Sequence, residues 1–319
     1  MTVETTTASG AAAEVDADAE TETIVCENPA TGERIGEVPV TRQDELEEAV
    51  RKARDAQSHW ARIPAEDRAD YLLEAREVLL DHRAELKSLI VEETGKAPPD
   101  ALAELLTVFD TMGFYAKEGP ELVSDEQVDL HLLKNKRTIV QKAPVGLVLN
   151  ISPWNFPFDL AMTPVMPALM AGNAAVVKPS EYTPMTAIRA VELMNRAGFP
   201  EGLIQVLPGY GETGAELIER ADAVSFTGSV ETGRIVAESA AEQLIPATLE
   251  LGGKDPLIVL DDANVERAAQ GAVWGAFFNS GQCCMSVERA YVHEDVYDSF
   301  VDRVVELTEN LRQGIPEGN

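Results

Sequence analysis

Residues 145–178 read V-G-L-V-L-N-I-S-P-W-N-F-P-F-D-L-A-M-T-P-V-M-P-A-L-M-A-G-N-A-A-V-V-K, and their order decides the fold. A short unbroken apolar run is followed by Ser, Pro and Asn, then by a helix-length apolar segment to about Ala171, then by a second short run, A-A-V-V-K. Strands covered on both faces read as continuous Val/Ile/Leu runs, and two of them separated by a helix predict a parallel unit. The unit recurs: a helix is expected from about Pro184, then L-I-Q-V-L with a helix from about Glu212, A-V-S-F with a helix from about Thr232, and A-T-L-E-L. This is the pattern of an α/β, doubly wound parallel sheet. Ligands of such sheets bind beyond the carboxyl ends of the strands. Polar or glycine-rich residues fall there in each unit: Ser152-Pro153-Trp154-Asn155, Lys178-Pro179-Ser180-Glu181, Pro208-Gly209, Thr227-Gly228-Ser229 and Gly252-Gly253.

Upstream, Arg42 to about Lys117 is helical in pattern, with breaks near Pro64 and at Pro98-Pro99. Residues 127–142 predict two short strands joined near Asn135. Downstream, P-L-I-V-L predicts a strand and the next helix is expected to bury Val265, Ala268, Ala269, Ala272, Val273, Ala276 and Phe277. That helix ends at Asn279 to Gly281, so Cys283 and Cys284 lie on the turn that leaves it, before a strand R-A-Y-V-H-E.

The chain has 55 acidic and 26 basic residues, a formal net charge of -29. Residues 1–23 hold six acids and no Lys or Arg among Thr and Ala, which reads as a disordered acidic tail, yet 49 acids still face 26 bases beyond it. Such a field repels nucleic acid and anionic membrane, so neither is an expected partner. Strong salt would screen its self-repulsion, which points to a halophilic, salt-rich cytoplasm. With three cysteines, no apolar run of spanning length and no secretory pattern, a reducing cytoplasm is the expected compartment.

Two adjacent thiols after a glycine raise the question of chemistry. A disulfide between neighbours is strained, because Cα atoms about 3.8 Å apart fall short of the usual span. The four histidines are scattered without ligand spacing, so no metal site is expected. Two inert buried thiols remain an alternative. The preceding helix turns its negative end toward Cys284 and gives its thiolate no help. Glu250 can be a general base or an ion-pair partner of Lys254, and Glu181 beside Lys178 can grip ribose hydroxyls or form a solvated loop pair. Thr227-Gly228-Ser229 can meet a phosphate at a helix N-terminus or simply cap it. G-Y-G-E-T-G, Gly209 to Gly214, matches a nucleotide-loop pattern, with Glu231 at roughly the spacing of its acidic partner.

Six segments in order, A-P-V-G-L-V-L-N-I-S-P-W-N-F-P, A-G-N-A-A-V-V-K-P-S-E, G-F-P-E-G-L-I-Q-V-L-P-G, F-T-G-S, L-E-L-G-G-K-D-P and N-S-G-Q-C-C, resemble the aldehyde dehydrogenase superfamily. The continuation C-M-S-V-E-R-A-Y-V-H-E most resembles its succinate-semialdehyde dehydrogenase branch. The resemblance implies a nicotinamide-binding domain over 24–126 and 143–252, an oligomerisation hairpin over 127–142 and a partial catalytic domain over 253–319, in a homo-oligomer. It implies Cys284 as the nucleophile that attacks an aldehyde, with Cys283 a bystander, Asn155 as the oxyanion donor and Glu250 as the base that activates water. It places Lys178 and Glu181 on the adenosine ribose, Ser229 on the pyrophosphate, and Ser152, Trp154, Ser180, Gly209, Gly211, Phe226, Thr227, Gly228 and Leu251 along the cofactor cleft. Glu181 would repel a 2′-phosphate, so NAD is favoured, with NADP possible. The family usually continues past the point where this chain stops, through a Glu-x-Phe-Gly-Pro motif. Two other readings therefore stand beside the enzyme: a truncated non-catalytic homologue that binds a full-length subunit, and a cofactor-independent thiol esterase.

Overall fold

A computed structural model of the chain describes residues 22–132 and 134–314. The acidic segment up to residue 21 lies outside the described residues, and a strand already begins at Thr23. It is β1 (Thr23–Glu27), paired antiparallel with β2 (Arg34–Pro39). This hairpin is an addition to the sequence reading, and its inward positions Ile24, Cys26 and Val38 form a small core of their own.

Four helices follow: α1 (Gln43–Trp60), α2 (Ala65–Asp81), α3 (Arg83–Thr94) and α4 (Pro98–Leu122). The breaks fall where the prolines predict, with Pro64 just before α2 and Pro98 opening α4, where a missing N–H costs nothing. The break at His82 carries no Gly or Pro and was not legible. Strands β3 (Glu126–Val128) and β4 (Thr138–Val140) form an exposed antiparallel hairpin, shorter than the 127–142 span expected but in the same place.

The central sheet alternates with helices as its apolar runs predict: β5 (Leu147–Ile151), α5 (Asp159–Met162), α6 (Val165–Met170), β6 (Ala174–Lys178), α7 (Pro184–Asn195), β7 (Ile204–Val206), α8 (Gly211–Ile218), β8 (Ala223–Gly228), α9 (Val230–Glu242) and β9 (Ala247–Leu251). The helix expected up to Ala171 is two short ones, because Pro164 has no N–H to continue the ladder. All pairings are parallel and the strand order is β7-β6-β5-β8-β9. The chain winds outward from β5 to one edge, then returns to β8, so the order reverses between β5 and β8. Crevices at such reversals are where ligands enter.

The main core lies between this sheet and its helices, and β6 is buried along its whole length. Trp60, fully buried, packs against Tyr71 and Phe199 and donates its ring N–H to the Leu169 carbonyl at 2.8 Å, tying α1 to α6. Beyond the sheet, β10 (Asp255–Val259) and β11 (Val287–Val292) pair in parallel, joined through α10 (Val265–Phe277) and followed by α11 (Glu294–Glu309). Here the expected burial holds only in part. Ala269, Ala272 and Val273 are buried, but Phe277 is 48% exposed and neighbouring Trp274 66%. The helix presents its second apolar stripe to solvent, because β10, β11 and α11 cover only one side of it.

Candidate active site

A cleft of about 550 Å3 opens at the reversal between β5 and β8. The carboxyl ends of β5, β6 and β8 supply Ser152, Trp154, Lys178, Ser180, Glu181, Phe226, Thr227, Gly228 and Ser229, and α8 supplies Gly211. Two residues of the expected set are elsewhere. Leu251 packs beneath α9, where a Cβ on Gly233 would meet its Cδ2 at 2.5 Å. Gly209 faces Thr213, which leaves no room for a side chain. Glu231 sits in the first turn of α9 rather than at a strand end, so the G-Y-G-E-T-G pattern lacks its acidic partner.

The cleft has the chemistry of a polyol and anion site. Lys178 is buried, its ammonium 3.6 Å from the Glu181 carboxylate. Burial holds the Lys178 pKa below its usual value, against the pull of Glu181. The Ser152 hydroxyl oxygen is buried without a protein partner while its residue lines the cleft, as expected of a group that awaits a ligand. Ser229 caps α9 by accepting from the Thr232 N–H at 3.1 Å. The first N–H groups of that helix have no intrahelical acceptor and favour an anion. A dinucleotide fits these residues on hydroxyl, carboxylate and helix-end chemistry alike.

The second half of the site is the turn after α10. Asn279, Ser280 and Gly281 take three successive left-handed conformations, with φ of 54°, 58° and 74°. For Ser280 this is strained, and Asn tolerates it better than most residues. The turn persists because Asn279 is completely buried and its Nδ2 donates to the carbonyls of Asn155 and Gln282 at 3.0 and 3.1 Å. On the far side, the buried Ser286 hydroxyl donates to the Gly275 carbonyl at 3.1 Å. Between these anchors Cys283 is half-buried and Cys284 exposed. Partial burial raises the Cys284 pKa, and the neighbouring Cys283 raises it further, while the N–H groups of Cys284 and Met285 pull against both.

Asn155 meets this turn from the irregular segment that follows β5. Its Nδ2 donates to the Gln282 carbonyl at 2.9 Å, two residues from Cys284, and its Oδ1 is buried without a partner. An amide nitrogen carries two N–H donors, so one remains for a substrate oxygen. Glu250, at the end of β9, is exposed, and its carboxylate has no hydrogen bond or ion pair among the described residues. Its expected rival role as partner of Lys254 is not seen, because Lys254 pairs with Glu288.

Two residues that the sequence reading passed over support Asn155. The Lys96 ammonium donates to the Asn155 carbonyl at 2.7 Å and to Glu104 Oε1 at 2.5 Å, and it lies 4.6 Å from the centre of the Phe156 ring. Glu104 Oε2 accepts the N–H groups of Phe158 and Asp159 at 3.0 and 3.1 Å. Nothing in T-G-K-A-P-P-D-A-L-A-E sets these two apart from ordinary surface charges. Their burial, which does, is tertiary. Among the described residues there is no cluster of metal-ligating side chains and no helix long and apolar enough to cross a membrane.

Comparison with known proteins identifies the fold. The family model described as "Aldehyde dehydrogenase family" matches residues 15–319. A D-glyceraldehyde dehydrogenase (NADP(+)) of Picrophilus torridus is 35% identical over 302 residues, covering 93% of this chain and 61% of the relative. A 4,4'-diapolycopene aldehyde oxidase of a Methylomonas species is 38% identical over 296 residues, covering 92% and 56%. Among solved structures, an E. coli NADP-dependent enzyme superposes with a TM-score of 0.89 at 36% identity, covering 92% of this chain and 61% of that one. The chain thus spans less than two thirds of the length of each of these relatives.

Proposed function

The chain belongs to the aldehyde dehydrogenase family, and from that premise we propose that it oxidises an aldehyde to the carboxylic acid with a nicotinamide cofactor. The observation that carries the proposal is the meeting of Asn155 with the Cys284 turn, beside a cleft suited to a dinucleotide.

In the proposed reaction the Cys284 thiolate attacks the aldehyde carbon, a C–S bond forms, and the carbonyl pair moves to oxygen. The free N–H of Asn155 and the backbone N–H of Cys284 hold that oxygen, stabilising charge as it develops. When bound, the nicotinamide supplies a two-electron hydride acceptor. Water then attacks the resulting Cys284 thioester, Glu250 takes its proton, and the acid leaves as the thiolate is restored. Glu250 is free of other ionic partners among the described residues, which suits a base that must receive a proton. Glu181 and Lys178 would hold the adenosine ribose and the helix end at Ser229 the pyrophosphate.

NAD is the cofactor we favour, on the Glu181 carboxylate beside Lys178, which would face the ribose and repel a 2′-phosphate. The names of the Picrophilus and E. coli relatives argue for NADP, which makes the choice a direct test. For the aldehyde, succinate semialdehyde is the first candidate, and glyceraldehyde, named for the Picrophilus relative, the second. Rapid mixing with NAD and each aldehyde, with Cys284→Ser and Cys283→Ser in parallel, tests the mechanism. A burst of reduced nicotinamide lost only in Cys284→Ser is the expected result, and equal loss in both variants refutes the assigned roles. A second reading, a non-catalytic partner of a longer homologue, is favoured by the open apolar side chains of Trp274, Phe277 and Met285. It predicts no burst with any aldehyde.

A further inference from the structure

We propose that the buried pair of Lys96 and Glu104 is the positioning device for Asn155, an inference that rests on the thiol chemistry proposed above. Asn155 lies in residues 152–158, an irregular segment between β5 and α5 in which Pro153 and Pro157 offer no N–H. The β5–β6 ladder ends at Ser152, whose N–H donates to the Lys178 carbonyl, and helical bonds resume at the Phe156 carbonyl, which accepts from Leu160, so neither fixes the peptide at Asn155. The pair supplies what they do not. Lys96 grips the Asn155 carbonyl, and Glu104 grips the N–H groups of Phe158 and Asp159, so the segment is held at Asn155 and at its exit into α5, from α4 and the turn before it. From the opposite side Asn279 donates to the same Asn155 carbonyl. The peptide that orients the Asn155 side chain is clamped between the scaffold and the turn that carries Cys284.

A purely stabilising role does not account for the arrangement. The side chains of Lys96 and Glu104 are 2% and 0% exposed, and a buried ion pair gains little over well-packed apolar residues once its desolvation is counted. An apolar replacement, however, could neither donate to the Asn155 carbonyl nor accept from Phe158 and Asp159. A catalytic donor must be held to within about 0.5 Å, and a misplacement of about 1 Å costs on the order of 100-fold in rate. The pair holds the segment to that tolerance, and its contribution is to rate.

The test compares Lys96→Met and the double variant Lys96→Met/Glu104→Gln with wild type. Acylation by p-nitrophenyl acetate needs an oxyanion donor. Alkylation of Cys284 by iodoacetamide does not, and thermal midpoints report the fold. Lys96→Met strands a buried carboxylate and is expected to lower the midpoint. The double variant removes that charge, keeps an acceptor for the two N–H groups, and is expected to recover most of the loss. Acylation is expected to fall about 10- to 100-fold in both variants, with alkylation within about twofold of wild type. Wild-type acylation in the double variant would overturn the inference and leave the pair a scaffold, as would acylation and alkylation falling in parallel. A wild-type protein that is alkylated but never acylated would refute the thiol chemistry itself, and the positioning role with it.

Discussion

Replacing Asn279 separates the forces that hold the turn before Cys284. The side chain is fully buried, its Nδ2 makes two hydrogen bonds to the carbonyls of Asn155 and Gln282, its Oδ1 has no partner, and its backbone is left-handed at φ 54°. In Asn279→Gly both hydrogen bonds are lost, but neither acceptor is orphaned. Lys96 still serves the Asn155 carbonyl and Asn155 Nδ2 still serves that of Gln282. At about 1 kcal/mol per bond the cost is about 2 kcal/mol. Asn279→Ala loses the same bonds and keeps a Cβ in the left-handed backbone that glycine is spared, which makes it about 1 kcal/mol less stable than the glycine variant. Asn279→Asp turns two donor contacts into acceptor against acceptor and buries a charge, a cost of about 4 kcal/mol or above. The expected order of stability is wild type, Gly, Ala, Asp. Steps of about 1 kcal/mol correspond to about 2 °C in melting temperature for a chain of this size. Melting followed by tryptophan fluorescence reads the order. An alanine variant as stable as the glycine variant would refute the claim that the turn is strained, and an aspartate variant no worse than alanine would refute the donor assignment.

Glu93 supplies a pH test. Its carboxylate, on α3, accepts from the N–H groups of Met185 and Thr186 at the start of α7. Burial pushes its pKa up to about 7, against those two donors. The folded state therefore keeps a proton that the unfolded chain releases above about pH 4.5, and stability contributed by the neutral form is lost as pH rises from about 4.5 to about 7. Denaturant unfolding of wild type and Glu93→Gln should diverge across that window by about 3 kcal/mol, and parallel curves would disprove the burial argument. For the cofactor, wild type is expected to favour NAD over NADP about tenfold in kcat/KM, with Glu181→Ser narrowing the ratio. Comparable turnover of both cofactors by wild type would discard Glu181 as the discriminator.

The sheet was legible in the sequence because strands buried on both faces must be apolar throughout, and each of V-G-L-V-L-N-I, A-A-V-V-K and A-V-S-F became a strand with its polar residues at the carboxyl end. The cleft followed from the same logic, since strand ends in a doubly wound sheet converge at the order reversal whatever their side chains. The β1–β2 hairpin, the break at His82 and the solvent side of α10 were not legible, because each depends on what neighbouring segments cover.

Sequence by itself thus determined the parallel α/β architecture, the residues at its strand ends and the pair of thiols on a turn, all of them consequences of local order along the chain. The tertiary structure alone decided which of those residues share a site. It brought Asn155 to a turn more than a hundred residues away and gave Lys254 to Glu288 rather than to Glu250. It also buried Lys96 against Glu104 beneath the Asn155 segment. Burial and partnership are properties of packed elements, and a charged residue reads the same in a sequence whether it is bound for solvent or for the core.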